Sequence, residues 1–269
     1  MADVGSDARL MEIASRFSEL EHVEAVALAG SAVVGISDSQ SDYDFYVYSR
    51  QPVDVTFRDG LLKSRAQRLE LHRTFWEDED AWIESDAKLE IMYRTCAWIE
   101  GELTARLDRY EASLGYTTAL CFSIERSRAL WDRSGWFANT QRRLLGGYPE
   151  GLARAIVQKN LPVLGAIISS YEDQIRAAFL RQDLVSLNHR VAAWLSSYFD
   201  ILFAAIRQFH PGEKRLLAYV GELPSAPESV VEGLRTICSG AGNLEHCIAD
   251  NLVLTRRRLE DWLESKGVL

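Results

Sequence analysis

Two aspartates, Asp42 and Asp44, stand at alternate positions where a β-rich run begins. In a strand, residues i and i+2 point to the same face, so this spacing predicts two carboxylates side by side. Such a pair repels itself in a folded protein unless the two groups share a cation. Carboxylate oxygens suit Mg²⁺, which usually keeps waters and substrate phosphates as its other ligands. The spacing therefore predicts a magnesium site held by Asp42 and Asp44.

A glycine–serine pair, Gly30 and Ser31, lies upstream and directly follows the apolar run 23–29. Glycine permits a sharp turn and a close approach of the backbone to a ligand. A serine hydroxyl and backbone N–H groups at the beginning of a helix suit a phosphate. The pair is therefore a candidate phosphate-binding turn that precedes the two aspartates.

Residues 28–50 as a whole, LAGSAVVGISDSQSDYDFYVYSR, resemble the signature of the DNA polymerase β-like nucleotidyltransferase superfamily. That superfamily includes aminoglycoside and lincosamide nucleotidyltransferases, the minimal nucleotidyltransferases of toxin–antitoxin systems, and DNA polymerase β itself. The resemblance implies an NTP as co-substrate, one or two Mg²⁺ ions on the aspartates, and phosphate binding by Gly30, Ser31 and Ser41. The sequence departs from the family at residues 32–34 and at Phe45, but no functional group is lost there.

The superfamily uses a third carboxylate on a later strand, and the match in this sequence is Glu90 in the run LEIMY. An acid within an apolar strand needs a partner when it is buried, and a shared metal would provide one. The resemblance implies that Glu90 completes the metal site or accepts a proton from the acceptor. Asp54 is a rival for this role, and Asp86 is a weaker one.

The second half of the chain also resembles a helical bundle that recurs in antibiotic-type nucleotidyltransferases. The segments that carry this resemblance are GYTTALCF, LWDRSGWF, YPEGL and YFDILFAAIRQFHPGEKRLL. In the related enzymes a bundle lysine reaches the nucleotide phosphates, and Lys214 is the match. The Pro211-Gly212 break places Lys214 in the first turn of a predicted helix. An ordinary surface lysine is the alternative interpretation.

Apolar periodicity predicts an N-terminal domain of strands and helices followed by a helical bundle. The resemblance implies an α+β fold, with a small mixed-sheet nucleotidyltransferase domain over residues 1–115 and an all-α helical bundle over residues 116–269. The predicted strands are 23–29, 45–48 and 89–93. The predicted helices are 8–20, 97–110, 136–145, 152–160, 164–180, 184–209 and 243–266. The acidic segment 76–84, WEDEDAWIE, is interpreted as a solvated loop, with the lining of a pocket for a cationic acceptor as the alternative.

The composition of the chain bears on its binding partners and on its cellular compartment. The 269 residues carry a formal net charge of −9, which disfavours nucleic acid because such binding rests on Lys and Arg neutralising phosphates. None of the four cysteines forms a C-x-x-C pair, so zinc is not expected and reduced, packed thiols are. With no signal peptide and no apolar run of membrane-spanning length, we expect a cytoplasmic protein.

These features together predict transfer of a nucleoside monophosphate from an NTP, with ATP expected, to a hydroxyl of a small acceptor. Antibiotics are candidate acceptors, and pyrophosphate is the second product. Two alternatives stand beside this enzyme: a protein-modifying or antitoxin-type nucleotidyltransferase, and a nucleotide-binding regulatory module without turnover. The acceptor, the preferred NTP and the oligomeric state stay open.

Overall fold

The computed structural model describes residues 4–29, 43–75, 77–85, 87–222, 228–240 and 247–269. The chain divides into two compact units: unit 1 comprises residues 1–104 and 123–147, and unit 2 comprises residues 105–122 and 148–269. The chain therefore leaves unit 1, contributes one segment to unit 2, and returns. The predicted boundary after residue 115 falls inside that segment.

Unit 1 is built on a mixed sheet of six strands in the order β3-β4-β5-β2-β1-β6. The strands are β1 (Val23–Ala29), β2 (Tyr43–Ser49), β3 (Arg68–Arg73), β4 (Asp78–Glu84), β5 (Ala87–Thr95) and β6 (Arg128–Asp132). Strands β2 and β5 pair in parallel, while every other neighbouring pair is antiparallel. Strands β5 and β2 are therefore the two central strands of the sheet, and they form the only parallel pair among the described strands.

Eleven helices lie within the described residues. They are α1 (Val4–Ser18), α2 (Val55–Leu62), α3 (Cys96–Leu107), α4 (Ala119–Arg126), α5 (Trp136–Leu145), α6 (Glu150–Gly165), α7 (Tyr171–Leu180), α8 (Leu184–Ala205), α9 (Leu216–Gly221), α10 (Glu228–Gly240) and α11 (Cys247–Ser265). In the described part of unit 2 every regular element is a helix, and the predicted α+β class is confirmed.

The two faces of the unit 1 sheet differ in chemistry. Phe45 and Val47 of β2 point into an apolar core that also contains Phe17 of α1. Because side chains alternate along a strand, Asp44 and Tyr46 point to the opposite face. We call this opposite face the polar face; at its far end Tyr48 of β2 packs against the ring of Phe137 in α5, with centroids 5.3 Å apart. The alternation leaves Asp44 on the face away from the core.

Unit 2 has its own apolar core, centred on the 22-residue helix α8. The buried side chains of Trp194, Tyr198 and Phe203 on α8 contribute to it. The predicted single helix 164–180 is wrong: α6 ends at Gly165 and α7 begins at Tyr171. Ser170 stops the run because its hydroxyl accepts from the N–H of Asp173, whose carboxylate accepts in return from the N–H of Ser170, which is a capping box.

The structure also corrects two smaller expectations. Residues 78–84 form strand β4 instead of a solvated loop. Strands β3 and β6 were not predicted either.

The described cysteines differ in their exposure to solvent. Cys96 and Cys121 are buried thiols, as predicted, and Cys238 is an exposed thiol. Burial raises the pKa of Cys96 to about 12. Among the helices described, none combines the length and the apolar character needed to cross a bilayer.

Candidate active site

Asp44 and Glu90 face each other across the parallel pair of β2 and β5. The register aligns Asp44 with Glu90, and the next residues along, Phe45 and Ile91, are both buried in the core. Laterally aligned residues of neighbouring strands point to the same face, and neighbouring strands lie about 5 Å apart. The structure therefore brings two of the predicted site residues side by side on the polar face.

The carboxylate of Glu90 is in contact with two cations. Arg73 Nη2 donates to Glu90 Oε1 at 2.9 Å, and Lys88 Nζ lies 3.2 Å from the same oxygen. The side chain of Glu90 is only 18% exposed, while that of Lys88 is 48% exposed. The ion pair with Arg73 is the better shielded of the two, so solvent screens it less.

Arg73 is the centre of a network of acids on the polar face. Its Nε donates to Glu79 Oε1 at 3.0 Å and its Nη2 donates to the same atom at 2.6 Å. Its Nη1 donates to Glu70 Oε2 at 3.3 Å. One guanidinium therefore serves Glu70, Glu79 and Glu90 together, and it is itself 20% exposed. These hydrogen bonds, working against burial, raise the pKa of Arg73 above its usual value.

The core-facing acids of β4 are neutralised by a buried arginine of α2. Arg58, 1% exposed, donates to both carboxylate oxygens of Asp78, at 2.8 and 2.6 Å. Its guanidinium lies 3.6 Å from the ring centroid of Tyr93 and 3.6 Å from Asp80. Burial raises the pKa of Asp80, although hydrogen bonds from the His72 N–H and the Tyr93 hydroxyl oppose this. This cluster stabilises the side of the sheet opposite Asp44 and Glu90.

Glu77, just before β4, is also paired. Arg94 of β5 donates to both of its carboxylate oxygens at 2.7 Å, and the guanidinium lies 4.1 Å from the ring centroid of Tyr46. All five acids of the segment 76–84 thus have an arginine partner, since Glu84 lies 3.5 Å from Arg65. They do not present bare carboxylates to a cationic acceptor, which was the alternative interpretation of this segment.

The rivals of Glu90 have different positions. Asp54 is the N-cap of α2, where Oδ1 accepts from the N–H groups of Thr56 and Phe57. These hydrogen bonds lower the pKa of Asp54 and give it a structural role. Asp86 lies outside the described residues.

Four predicted ligand-binding residues, Gly30, Ser31, Ser41 and Asp42, also lie outside the described residues. Lys214 is described, and it is an exposed residue of unit 2. Helix α9 begins at Leu216, so the prediction that Lys214 occupies the first turn of a helix is wrong. The chain turns here because Arg215, in a left-handed conformation, is the N-cap of α9.

The chemistry of the donor set fits a hard divalent cation. Asp44 and Glu90 offer carboxylate oxygens on one face, with no competing sulfur or imidazole ligand named in the motif. Among the described residues, no group of three or more His, Cys, Asp or Glu side chains is arranged to hold a metal ion.

Comparisons with known proteins give the following. No family model matches the chain, and no curated protein matches it. Among solved structures, it aligns with a nucleotidyltransferase-like protein from Exiguobacterium sibiricum at a TM-score of 0.47 and 10% identity, covering 97% of this chain and 76% of that one. It aligns with the Thermotoga maritima CCA-adding enzyme complexed with tRNA at a TM-score of 0.36 and 13% identity, covering 97% of this chain and 66% of that one.

A CCA-adding enzyme in complex with ATP aligns at a TM-score of 0.35 and 12% identity, with 89% of this chain and 58% of that chain covered. The chain thus spans about two thirds or less of these two CCA-adding enzymes.

Sequence reasoning missed Arg73. Its run, RLELHR, is charged at alternate positions and was not recognised as a strand. The partners of Arg73 on β4 and β5 become neighbours only through strand pairing. The one local signal is the alternation of Leu69 and Leu71 with polar residues, which is typical of a half-buried strand.

Proposed function

We propose that the protein is a metal-dependent nucleotidyltransferase that transfers a nucleoside monophosphate from an NTP to a hydroxyl of a small acceptor. The observation that carries the proposal is the side-by-side placement of Asp44 and Glu90 on the polar face. Both side chains offer carboxylate oxygens on one face, and oxygen ligands of this kind suit Mg²⁺. In the motif of residues 30–44, phosphate-binding residue types precede this pair.

In this proposal Asp42, Asp44 and Glu90 hold one or two Mg²⁺ ions. Bound Mg²⁺ neutralises charge on the phosphates and helps to orient them for in-line displacement. The acceptor oxygen forms a bond to the α-phosphorus, the bond to the pyrophosphate leaving group breaks, and Glu90 takes the hydroxyl proton. Gly30, Ser31 and Ser41 are proposed to bind the β- and γ-phosphates.

A small acceptor fits the charge of the chain better than a nucleic acid. The formal net charge is −9, and affinity for a polyanion depends on neutralising phosphates with Lys and Arg. On the polar face, the described arginines Arg73 and Arg94 are engaged by acids of the protein itself. We therefore place aminoglycosides, lincosamides and other polyhydroxylated small molecules first among the acceptors.

The test is a pyrophosphate-release screen. Purified protein is incubated with each of the four NTPs, Mg²⁺ and a panel of hydroxyl acceptors, and each condition is repeated with Asp44→Asn and without acceptor. We expect acceptor-dependent release by the wild type and none by Asp44→Asn. Equal release by the two proteins would contradict the proposal.

Two further outcomes would favour the alternatives. Label from an α-³²P NTP that ends on a protein instead of a small molecule would indicate a protein-modifying enzyme. Calorimetric NTP binding without release over the whole panel would indicate a regulatory module.

A further inference from the structure

The ion pair between Arg73 and Glu90 occupies the position where a metal ligand is proposed. Arg73 Nη2 lies 2.9 Å from Glu90 Oε1 and 2.6 Å from Glu79 Oε1. The Glu79 side chain is 10% exposed. Without Arg73, Glu79 would lose the guanidinium that pairs with it and Glu90 would keep only the more exposed Lys88, and shielded ionised groups are costly unless they are paired.

A divalent cation on Asp44 and Glu90 would meet this guanidinium at close range. Glu90 Oε1 already accepts from Arg73 and lies near Lys88, so a metal ion must compete for the electron pairs of that carboxylate. Two like charges within several ångströms repel, and the repulsion is stronger where solvent is partly excluded. Arg73 and the metal ion therefore stabilise the same carboxylate, and each weakens the hold of the other.

We infer that Arg73 is the resident counter-cation of Glu90, and that it sets the concentration of divalent cation at which a site on Asp44 and Glu90 fills. Arg73 neutralises Glu90 and Glu79 while the metal is absent. With a metal ion bound, that ion would neutralise Glu90 in place of Arg73, and Arg73 would stay paired with Glu79. The inference rests on the proposed metal site, and it adds a positioning residue that no motif of the sequence indicated.

Direct metal binding tests this without any turnover. Mg²⁺ or Mn²⁺ is titrated calorimetrically into wild type, Arg73→Met and Arg73→Lys in the absence of nucleotide. We expect Arg73→Met to bind the ion on the order of ten-fold more tightly, since a unit positive charge has been removed near the site. Arg73→Lys keeps the charge but loses the fork that reaches two carboxylates, so it should fall between the other two proteins.

A matched control is Arg65→Met. Arg65 is 15% exposed, close to the value for Arg73, and it pairs with Glu12 at 2.7 Å and Glu84 at 3.5 Å. The loss of Arg65 should leave the affinity for the ion within about two-fold of wild type, because neither of its partners belongs to the proposed site.

Thermal unfolding with and without Mg²⁺ distinguishes this role from a structural one. Arg73→Met should melt below wild type in chelator, and saturating Mg²⁺ should recover more of the loss than it adds to wild type. An arginine with only a structural role would lower the melting temperature equally in both conditions. Equal metal affinity in wild type, Arg73→Met and Arg73→Lys would overturn the inference.

Asp44→Asn separates this outcome from a failure of the proposed function. If Asp44→Asn loses metal binding while the Arg73 variants match wild type, the counter-cation role is wrong and the site stands. If Asp44→Asn binds the ion as wild type does, both are overturned.

Discussion

Asp200 on α8 accepts two hydrogen bonds from Thr117, one from its backbone N–H at 3.1 Å and one from its hydroxyl at 2.6 Å. Asn160 of α6 binds the same stretch of chain, since its Oδ1 accepts from the Gly115 N–H at 3.0 Å and its Nδ2 donates to the Ser113 carbonyl at 2.9 Å. These buried polar groups attach the segment 105–122 to the helices of unit 2.

The first prediction concerns pH and stability. Burial raises the pKa of Asp200 to about 7, although hydrogen bonds from Thr117 oppose it. Because the folded-state pKa lies above that of the unfolded chain, the fold favours the protonated carboxyl. The stability it contributes is present at low pH and is lost as pH rises through about 7. Each pH unit between the two pKa values changes this contribution by up to about 1.4 kcal/mol.

Urea unfolding at pH 5 and pH 8 measures this. The unfolding free energy of wild type should fall relative to that of Asp200→Asn as pH rises from 5 to 8. Asp183→Asn is a control, because Asp183 is the N-cap of α8 with a lowered pKa, and asparagine caps helices equally well. A wild-type and an Asp200→Asn protein with parallel pH profiles would rule out titration of Asp200 in this range.

The second prediction concerns Gly115. Its φ is +79°, and a Cβ there would lie 2.9 Å from Ser196 Cβ and closer still to the Ser196 hydroxyl. We expect Gly115→Ala to lower the unfolding free energy by about 3 kcal/mol, as strain of the left-handed backbone adds to overpacking. Gly135→Ala, at φ +73° with no heavy atom within 4 Å, should cost only about 1 kcal/mol.

Denaturant melts of a double-mutant cycle check the contact. The double variant Gly115→Ala/Ser196→Gly should be more stable than Gly115→Ala, and it should regain most of the difference in unfolding free energy between Gly115→Ala and Gly135→Ala. The reason is that the Ser196 side-chain atoms that the new Cβ meets are gone. Additive losses in the double variant would show that Ser196 is not the obstacle.

The third prediction concerns Arg58. Removing one partner from a buried ion pair leaves an uncompensated charge, so Arg58→Met should destabilise the protein by about 3–5 kcal/mol. Arg58→Lys should recover little, because one ammonium cannot replace a two-pronged contact with Asp78. Lys63→Met serves as the exposed control, since its pair with Asp59 spans 3.5 Å at the surface. Chemical denaturation followed by circular dichroism gives the values; a loss below 1 kcal/mol for Arg58→Met would contradict the assignment.

The fourth prediction concerns the proposed reaction. Asp44→Asn should abolish turnover with little effect on the fold, because asparagine has nearly the same shape and the side chain lies on the polar face, away from the apolar core. Glu90→Gln should lower kcat by about 10²–10⁴-fold, the range for loss of a general base. Asp59→Asn, on the surface of α2, should have wild-type kcat. Wild-type turnover by Glu90→Gln would assign the proton transfer to another group.

Part of this fold is readable from the sequence. The strands predicted at 23–29, 45–48 and 89–93 correspond to β1, β2 and β5, because apolar runs of that length are typical of buried strands. Strand β4 was not predicted, because its acidic residues suggested a solvated loop. The compensating charges of Arg58, Arg73 and Arg94 come from three other elements, and no local pattern reveals that pairing.

The candidate site was predictable in its residue types but not in its geometry. The motif indicated Asp44, and the resemblance to the superfamily indicated Glu90 as the match for its third carboxylate. Their alignment depends on the register of β2 with β5, which the intervening helix and two strands determine. Lys214 was chosen because the motif of residues 29–44 contains no Lys or Arg. The structure shows Arg73 and Lys88 much nearer in sequence and in contact with Glu90.

The return of the chain to unit 1 has a consequence for synthesis on the ribosome. Strand β6, residues 128–132, pairs with β1, all seven residues of which are buried. A nascent chain that has emerged only as far as residue 115 has β1 without this neighbour, and an unpaired apolar strand edge invites intermolecular pairing. A fragment of residues 1–115 should therefore aggregate on expression, whereas residues 1–147 carry the strand that covers the edge.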